Sequence, residues 1–580
     1  MAQLETDESR GPFLGVDEIA GQAVPRWKEK MGQGRRSKSR LSRRGVYVIS
    51  ALVVLLHLSV SLIVFSQRHP SSTGRGRSPS SSAEPQSGIE VSAPQRGGFE
   101  ILLNPRKHRS REQGTRKYRW VVSQAIISPD GVEKEVFLIN GIFPGPTIEA
   151  RSGDVLEIEI RGDGLYGGLI VHSPENDEAV VYDYDEELLL MVGDWYHRSY
   201  QDALGSSMSV PSTGDEPAPD SLLINGQGHF ECSMAVPASP ADCTEVSKPW
   251  LSLDKKHSYR VRVINVGSLA GISFSVPDSE MQVIQVDGGR RVDSNKTSNS
   301  MGVLYPGERV DFLMSWPEAA LDMDTELTVQ LDREYFTRPN LAPTPDQSFA
   351  LTVEASTRRP ARSSSEITHF NLSGIVGMPL SRLLPKPLTT FTVFSAIEIT
   401  SRKGMVPKGF INHTAWVPQS RPLITLNPED WNEHQFVPWT GAEPGWVELT
   451  INNVDGTGYP FHLHGFDFYV VGSHQANGGR DHYDPFDSKK PRGGPFNLEN
   501  PVSKDTVYVP PHGYVVIRFK ADNEGIWLLH CDVLWQQGSS MAMAFQVMGK
   551  ADEGVTGTWS SNIAGDYCAS IDGDDASESQ

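Results

Sequence analysis

One β unit recurs along this chain, and that repetition limits the fold more than any other feature. Val155-Leu-Glu-Ile-Glu-Ile160 alternates apolar and acidic residues, and Tyr259-Arg-Val-Arg-Val263 and Val447-Glu-Leu-Thr-Ile451 repeat the alternation. A period of two marks a strand with one buried face. A second element recurs as well. Tyr305-Pro-Gly-Glu-Arg-Val-Asp-Phe312 and Val509-Pro-Pro-His-Gly-Tyr-Val-Val-Ile517 each join a Pro turn to a following strand. With 53 Gly and 40 Pro to supply turns, the pattern predicts tandem β-sandwiches over 117–176, 177–360 and 361–550.

The first of these units is too short. A seven-stranded sandwich takes about 100 residues, and the copy of the Pro-turn element is missing here. The strand ending at Ile160 runs through Arg161-Gly-Asp-Gly164 straight into Leu165-Tyr-Gly-Gly-Leu-Ile-Val171. The chain reads as excised near Gly164/Leu165, either in the protein or through a mis-spliced gene.

Ahead of the repeats, residues 45–65 carry no acid or base apart from His57, which is the length of a membrane-crossing helix. Nine Lys/Arg between Arg26 and Arg44 put the 1–44 tail in the cytoplasm by the positive-inside bias. A cleaved secretory signal is the rival reading. Both send the body to a lumenal or extracellular compartment, where Asn295, Asn371 and Asn412 begin glycosylation sequons. Residues 66–116, rich in Ser, Pro, Gly and Arg, are expected to form a disordered stalk, and 551–580 an acidic tail. The acidic run Asp183-Tyr-Asp-Glu-Glu187 reads as a solvated turn between domains.

A net charge of −19 excludes a nucleic-acid binder, which needs a basic footprint. Four Cys exclude a disulfide-dense scaffold. Cys232 and Cys243, eleven apart across two prolines, are candidates for a local disulfide, with two free thiols as the alternative.

The chemistry concentrates in the third unit. Tyr459-Pro-Phe-His462-Leu-His464 places two imidazoles on one strand face. Trp527-Leu-Leu-His530-Cys531-Asp532-Val-Leu-Trp535-Gln536 follows, and then Met541. His530 and Cys531 are adjacent, so they face opposite sides of their strand.

These motifs resemble those of multicopper oxidases, particularly fungal laccase-like members built from three cupredoxin Greek-key β-sandwiches. Asn140-Gly-Ile-Phe-Pro-Gly-Pro-Thr147 and Asp220-Ser-Leu-Leu-Ile-Asn-Gly226 are similar to family segments of the first two domains. The resemblance implies an all-β fold, here with a truncated first domain behind one transmembrane helix. It also implies copper, four ions per chain in the family. A blue copper takes single electrons from phenolic or aromatic substrates and relays them to a three-copper cluster that reduces O2.

Carried over residue by residue, the ligand set is degenerate. Cys531 matches the blue-copper thiolate and Met541 its axial position, but Tyr459 and Gln536 stand where imidazoles belong. His462, His464 and His530 remain of the cluster's eight histidines, and Asp532 replaces a fourth. The other four belong to the segment that is missing, and His172 beyond the junction does not replace them. Cys568 matches a tail cysteine whose usual partner lies in that same segment. Splicing does not explain Tyr459, Asp532 and Gln536, which sit inside intact motifs. The expectation is therefore a membrane-anchored laccase-like homologue holding fewer coppers than the family, or none. Its family reaction suits pigment or polyketide biosynthesis. The alternatives are a non-catalytic scaffold or substrate-binding partner in a membrane-bound assembly with other proteins and, more weakly, a ferroxidase.

Overall fold

In each of the two complete units, the alternating strand is the middle of a three-strand ladder. Tyr259–Asn265 lies between Glu186–Trp195, parallel to it, and Arg309–Ser315, antiparallel to it. Gly445–Asn453 lies in the same way between Thr389–Ile399 and Tyr514–Ala521. The antiparallel neighbour is in both cases the strand that follows the Pro turn.

The computed structural model describes residues 101–161, 166–173, 182–209, 216–235, 241–288, 291–294, 296–336, 346–351, 366–399, 406–487, 490–555 and 561–565. All fall within the unit Glu90–Gln580. In the second domain a seven-stranded and a five-stranded sheet enclose a core that includes Leu188, Val263, Phe312, Met301 and Val329. A six-stranded and a four-stranded sheet enclose Leu449, Ile517, Phe461, Cys531 and Phe545 in the third.

The first domain shows what the short segment costs. Val155–Arg161 pairs in parallel with Thr115–Ile127, which also pairs with Lys134–Ile139. Among the described residues no antiparallel strand covers its other edge. A separate pair, Ile148–Arg151 with Leu169–His172, completes the remnant. Apolar side chains stand in the open here, and Leu169 and Val171 are each about half exposed.

Three sequence expectations need correction. The stalk does not extend to 116, because Ile101–Leu102 pairs with Leu188 and Leu189 of the second domain. Arg111 then binds Asp154 and fixes the chain as it enters Thr115–Ile127. The second domain does not end at 360, because His369–Asn371 adds a parallel strand to its five-stranded sheet. The acidic turn is not wholly solvated, since Glu187 is buried and takes the Arg262 guanidinium at 2.6 Å. The expected span 45–65, Asn295 and Cys568 lie outside the described residues. Among the described residues no helix is long and apolar enough to cross a membrane. Cys232 and Cys243 are joined in a disulfide with Cα atoms 5.7 Å apart.

One buried carboxylate joins the second domain to the third. Asp194 accepts the backbone N–H groups of Ser268, Leu269 and Ala270 at 2.7, 2.8 and 2.6 Å. The turn held in this way offers the Ser268 carbonyl to the Leu534 N–H at 2.8 Å, at the start of the helix Leu534–Gly538 that carries Gln536. Removing the carboxylate leaves three N–H groups without their acceptor, two of them, of Leu269 and Ala270, buried away from water. We expect Asp194→Ala to destabilise the chain by about 3 kcal/mol in urea unfolding; a change below about 1 kcal/mol would show that the turn needs no such anchor.

Candidate functional site

The strand Tyr459–Leu463 runs antiparallel to Gly525–Cys531, with His462 opposite His530 and Phe461 opposite Cys531. Side chains alternate across a strand, so this pair presents two separate groups of residues on its two faces.

On one face the imidazoles of His462, His464 and His530 converge. Their ring centroids are 5.0, 5.7 and 5.0 Å apart. His530 Nδ1 lies 3.1 Å from the Cys531 carbonyl and must donate to it, which leaves Nε2 as an acceptor. His464 Nε2 is 2.9 Å away and donates to that acceptor. His462 Nδ1 donates to the Asp505 carbonyl at 3.0 Å. Burial pushes His530 down to about 4, the Cys531 carbonyl and the neighbouring imidazoles acting as smaller influences. Burial and the proximity of His462 also lower His464. His462 moves the other way. Burial opposes its charge, but Asp505 and Asp532 outweigh that and raise it.

A charged shell surrounds these rings. Arg309 grips both carboxylate oxygens of Asp505 at 2.5 and 2.6 Å. Lys504 binds Glu308 at 2.6 Å and approaches Asp287 at 3.6 Å. Asp532 Oδ1 sits 3.4 Å from His530 Nδ1, and burial lifts its carboxyl to about 7 despite the nearby His462. Arg309, Lys504, Asp287 and Glu308 were not anticipated as part of this region. The only hint was the charged pair Glu308-Arg309 inside a strand-forming segment.

The other face is apolar. Cys531 is fully buried in the third-domain core with Tyr459, Phe461, Val533 and Met541, and burial pushes its thiol well up. The Tyr459 hydroxyl donates to Asp455 Oδ2 at 2.7 Å. The Gln536 amide donates to Glu216. Met541 packs against Gly409, where any Cβ would fall 2.7 Å from that of Met541. His172, remote in sequence, is buried and binds Glu149 at 2.8 Å. Among the described residues no group of three or more His, Cys, Asp or Glu side chains is disposed to hold a metal ion.

The multicopper oxidase family pattern matches residues 121–163, 186–322 and 403–551. This chain belongs to the multicopper oxidase family. It is a laccase-like member of the fungal type. Laccase-2 of Botryotinia fuckeliana is 26% identical over 74% of this chain and 82% of its own length. The L-ascorbate oxidase of Cucumis sativus is also 26% identical, over 72% of this chain and 86% of its own. The laccase of Botrytis aclada matches in structure with a TM-score of 0.63, at 23% identity over 85% of this chain and 97% of that one. Fet3p, a multicopper oxidase that functions in iron import, matches with the same score at 20% identity over 78% and 95%. The first matched stretch of this multicopper oxidase stops at 163, one residue before the Gly164/Leu165 junction.

The histidine shifts have opposite effects on stability. His530 falls from an ordinary 6.5 to about 4, so between those values the unfolded chain binds a proton that the folded chain does not. Stability therefore falls as pH falls through that window, by about 3 kcal/mol at about 1.4 kcal/mol per pH unit. His462 is raised, so its contribution is complete below about 6.5 and is lost as pH rises through its folded value. We expect His530→Asn to flatten the acid limb of stability against pH in urea unfolding. An unchanged limb would show that His530 is not the buried neutral group.

Proposed function

We propose that this chain is a copper-depleted laccase relative that has lost the family's phenol oxidation and serves as a non-catalytic binding or scaffolding partner. One observation carries the proposal. At the position through which the family takes up electrons, Tyr459 and Gln536 replace the imidazoles and are already bonded, to Asp455 and Glu216.

Copper does not fit the residues present at that position. A buried phenol and a neutral amide are weak ligands beside imidazole. What remains is Cys531 with Met541. On the opposite face His462, His464 and His530 are too few for a three-copper cluster, and Asp532 adds a hard oxygen where nitrogen is needed. We derive no electron transfer through this chain.

The retained histidine trio favours a second reading, a residual oxidase with fewer coppers acting on aromatic precursors of a secondary metabolite. A ferroxidase role is weaker. It leans on likeness to the iron transport multicopper oxidase FET3 of Kluyveromyces lactis, which is 26% identical over 66% of this chain but only 58% of its own length. The run 45–65 supports anchorage of the body at a lumenal or extracellular membrane face. Asn371 and Asn412 are then glycosylation sites, each with its side-chain oxygen already bonded to backbone and its amide nitrogen left for the sugar.

The test is copper loading of the purified full chain. We expect no intense thiolate-to-copper absorption, less copper than the family complement and no phenol-dependent oxygen uptake. A blue protein with full copper and phenol oxidation would overturn the proposal.

A further inference from the structure

A cavity of about 1110 Å³ opens where the first-domain remnant meets the second and third domains. Among the described residues six arginines line it, and Asp311 is the only acid. Three of the six are neutralised. Asp311 takes Arg260 at 2.5 Å and Arg262 at 2.8 Å, Glu187 also takes Arg262, and Asp505 takes Arg309.

Arg106, Arg109 and Arg291 have no carboxylate partner among the described residues. Arg109 Nη2 donates to the Tyr184 hydroxyl at 3.2 Å, and Arg291 Nε to that of Tyr182 at 2.9 Å. The Tyr182 ring lies 5.5 Å from the Arg291 guanidinium carbon and 5.8 Å from that of Arg260. Two further polar atoms in this lining, Arg109 Nε and Ser503 Oγ, are buried without a hydrogen-bond partner among the described residues. Buried polar atoms are normally satisfied, and these two, on residues that line the cavity, are not.

We propose that this cavity binds a small amphipathic anion, a planar apolar body carrying two or more carboxylate, sulfonate or phosphate groups. The guanidiniums match such groups bidentately and stack on aromatic faces. Leu169 and Val171, each about half exposed, give the body an apolar wall. The volume slightly exceeds that of an ordinary small-molecule site, so a bare inorganic anion would leave most of it wet. A long polyanion is disfavoured by the chain's net charge of −19. The inference goes beyond the copper reading and does not depend on it.

The test is fluorescence titration of the full chain with pyrenetetrasulfonate as the probe, with neutral pyrenemethanol and inorganic phosphate as competitors. We expect saturable binding that weakens with added salt. Arg109→Gln and Arg291→Gln should each weaken it about tenfold or more, the loss of one charge-assisted contact. Arg106→Gln, at an exposed helix position, is the variant to use should either of those fail to fold. Lys550→Gln removes the same charge from an exposed site outside the lining and should change binding by less than about twofold. Equal weakening by Lys550→Gln would reduce the binding to general charge attraction and overturn the proposal. Displacement of the probe by phosphate or by pyrenemethanol at equal concentration would overturn the amphipathic class. Failure here leaves the copper test unaffected.

Discussion

Adjacent residues of a strand point to opposite faces, and the functional reading of this molecule depends on that constraint at His530 and Cys531. One peptide unit separates an imidazole in a polar, charged shell from a thiol in a closed apolar core. Because Tyr459–Leu463 pairs with this strand in fixed register, His462 and His464 must fall on the imidazole face. A slip of one residue would exchange the faces, and the burial of Phe461, Leu463 and Leu529 excludes it.

The two faces have fared differently. On the thiol side Tyr459, Cys531 and Met541 form ordinary protein interior. Tyr459 buries its ring in the core, worth about 2 kcal/mol, and satisfies its hydroxyl on Asp455. On the histidine side the rings still converge, but they bond to one another and to backbone carbonyls. Arg309, Asp505, Lys504 and Glu308 surround them with opposed charges from both the second and the third domain. Buried ion pairs of this kind break even at best against apolar packing, yet they fix which surfaces can meet. They hold the second-domain strand Arg309–Ser315 to the residues beside His462.

Much of this was legible in the sequence because period-two alternation and Pro turns are local signals. The strands 259–263 and 447–451 and their Pro-turn partners could be located without a structure, as could the division of His530 from Cys531. What stayed hidden depends on distant contacts. Nothing near Gln536 announces Glu216, and nothing near Tyr305–Phe312 announces that Arg309 reaches Asp505. The stalk was drawn too long because the composition of 101–116 is polar and basic, while its order comes from a short strand on the second domain and one ion pair. The gap at Gly164/Leu165 was readable as a missing motif. Two features beside it were not: among the described residues no antiparallel strand covers the free edge of Val155–Arg161, and arginines line a cleft beside Leu169–His172.

The central claim is that two side chains, Tyr459 and Gln536, have closed the blue-copper position while the surrounding fold persists. The most direct measurement compares copper titrations of the native chain and of the double variant Tyr459→His/Gln536→His, followed by visible absorption and electron paramagnetic resonance. Circular dichroism must show the two to be equally folded. We expect the thiolate-to-copper transition only in the double variant, where two imidazoles are added to Cys531 and Met541. The same transition in the native chain, or its absence from the folded double variant, would contradict the claim.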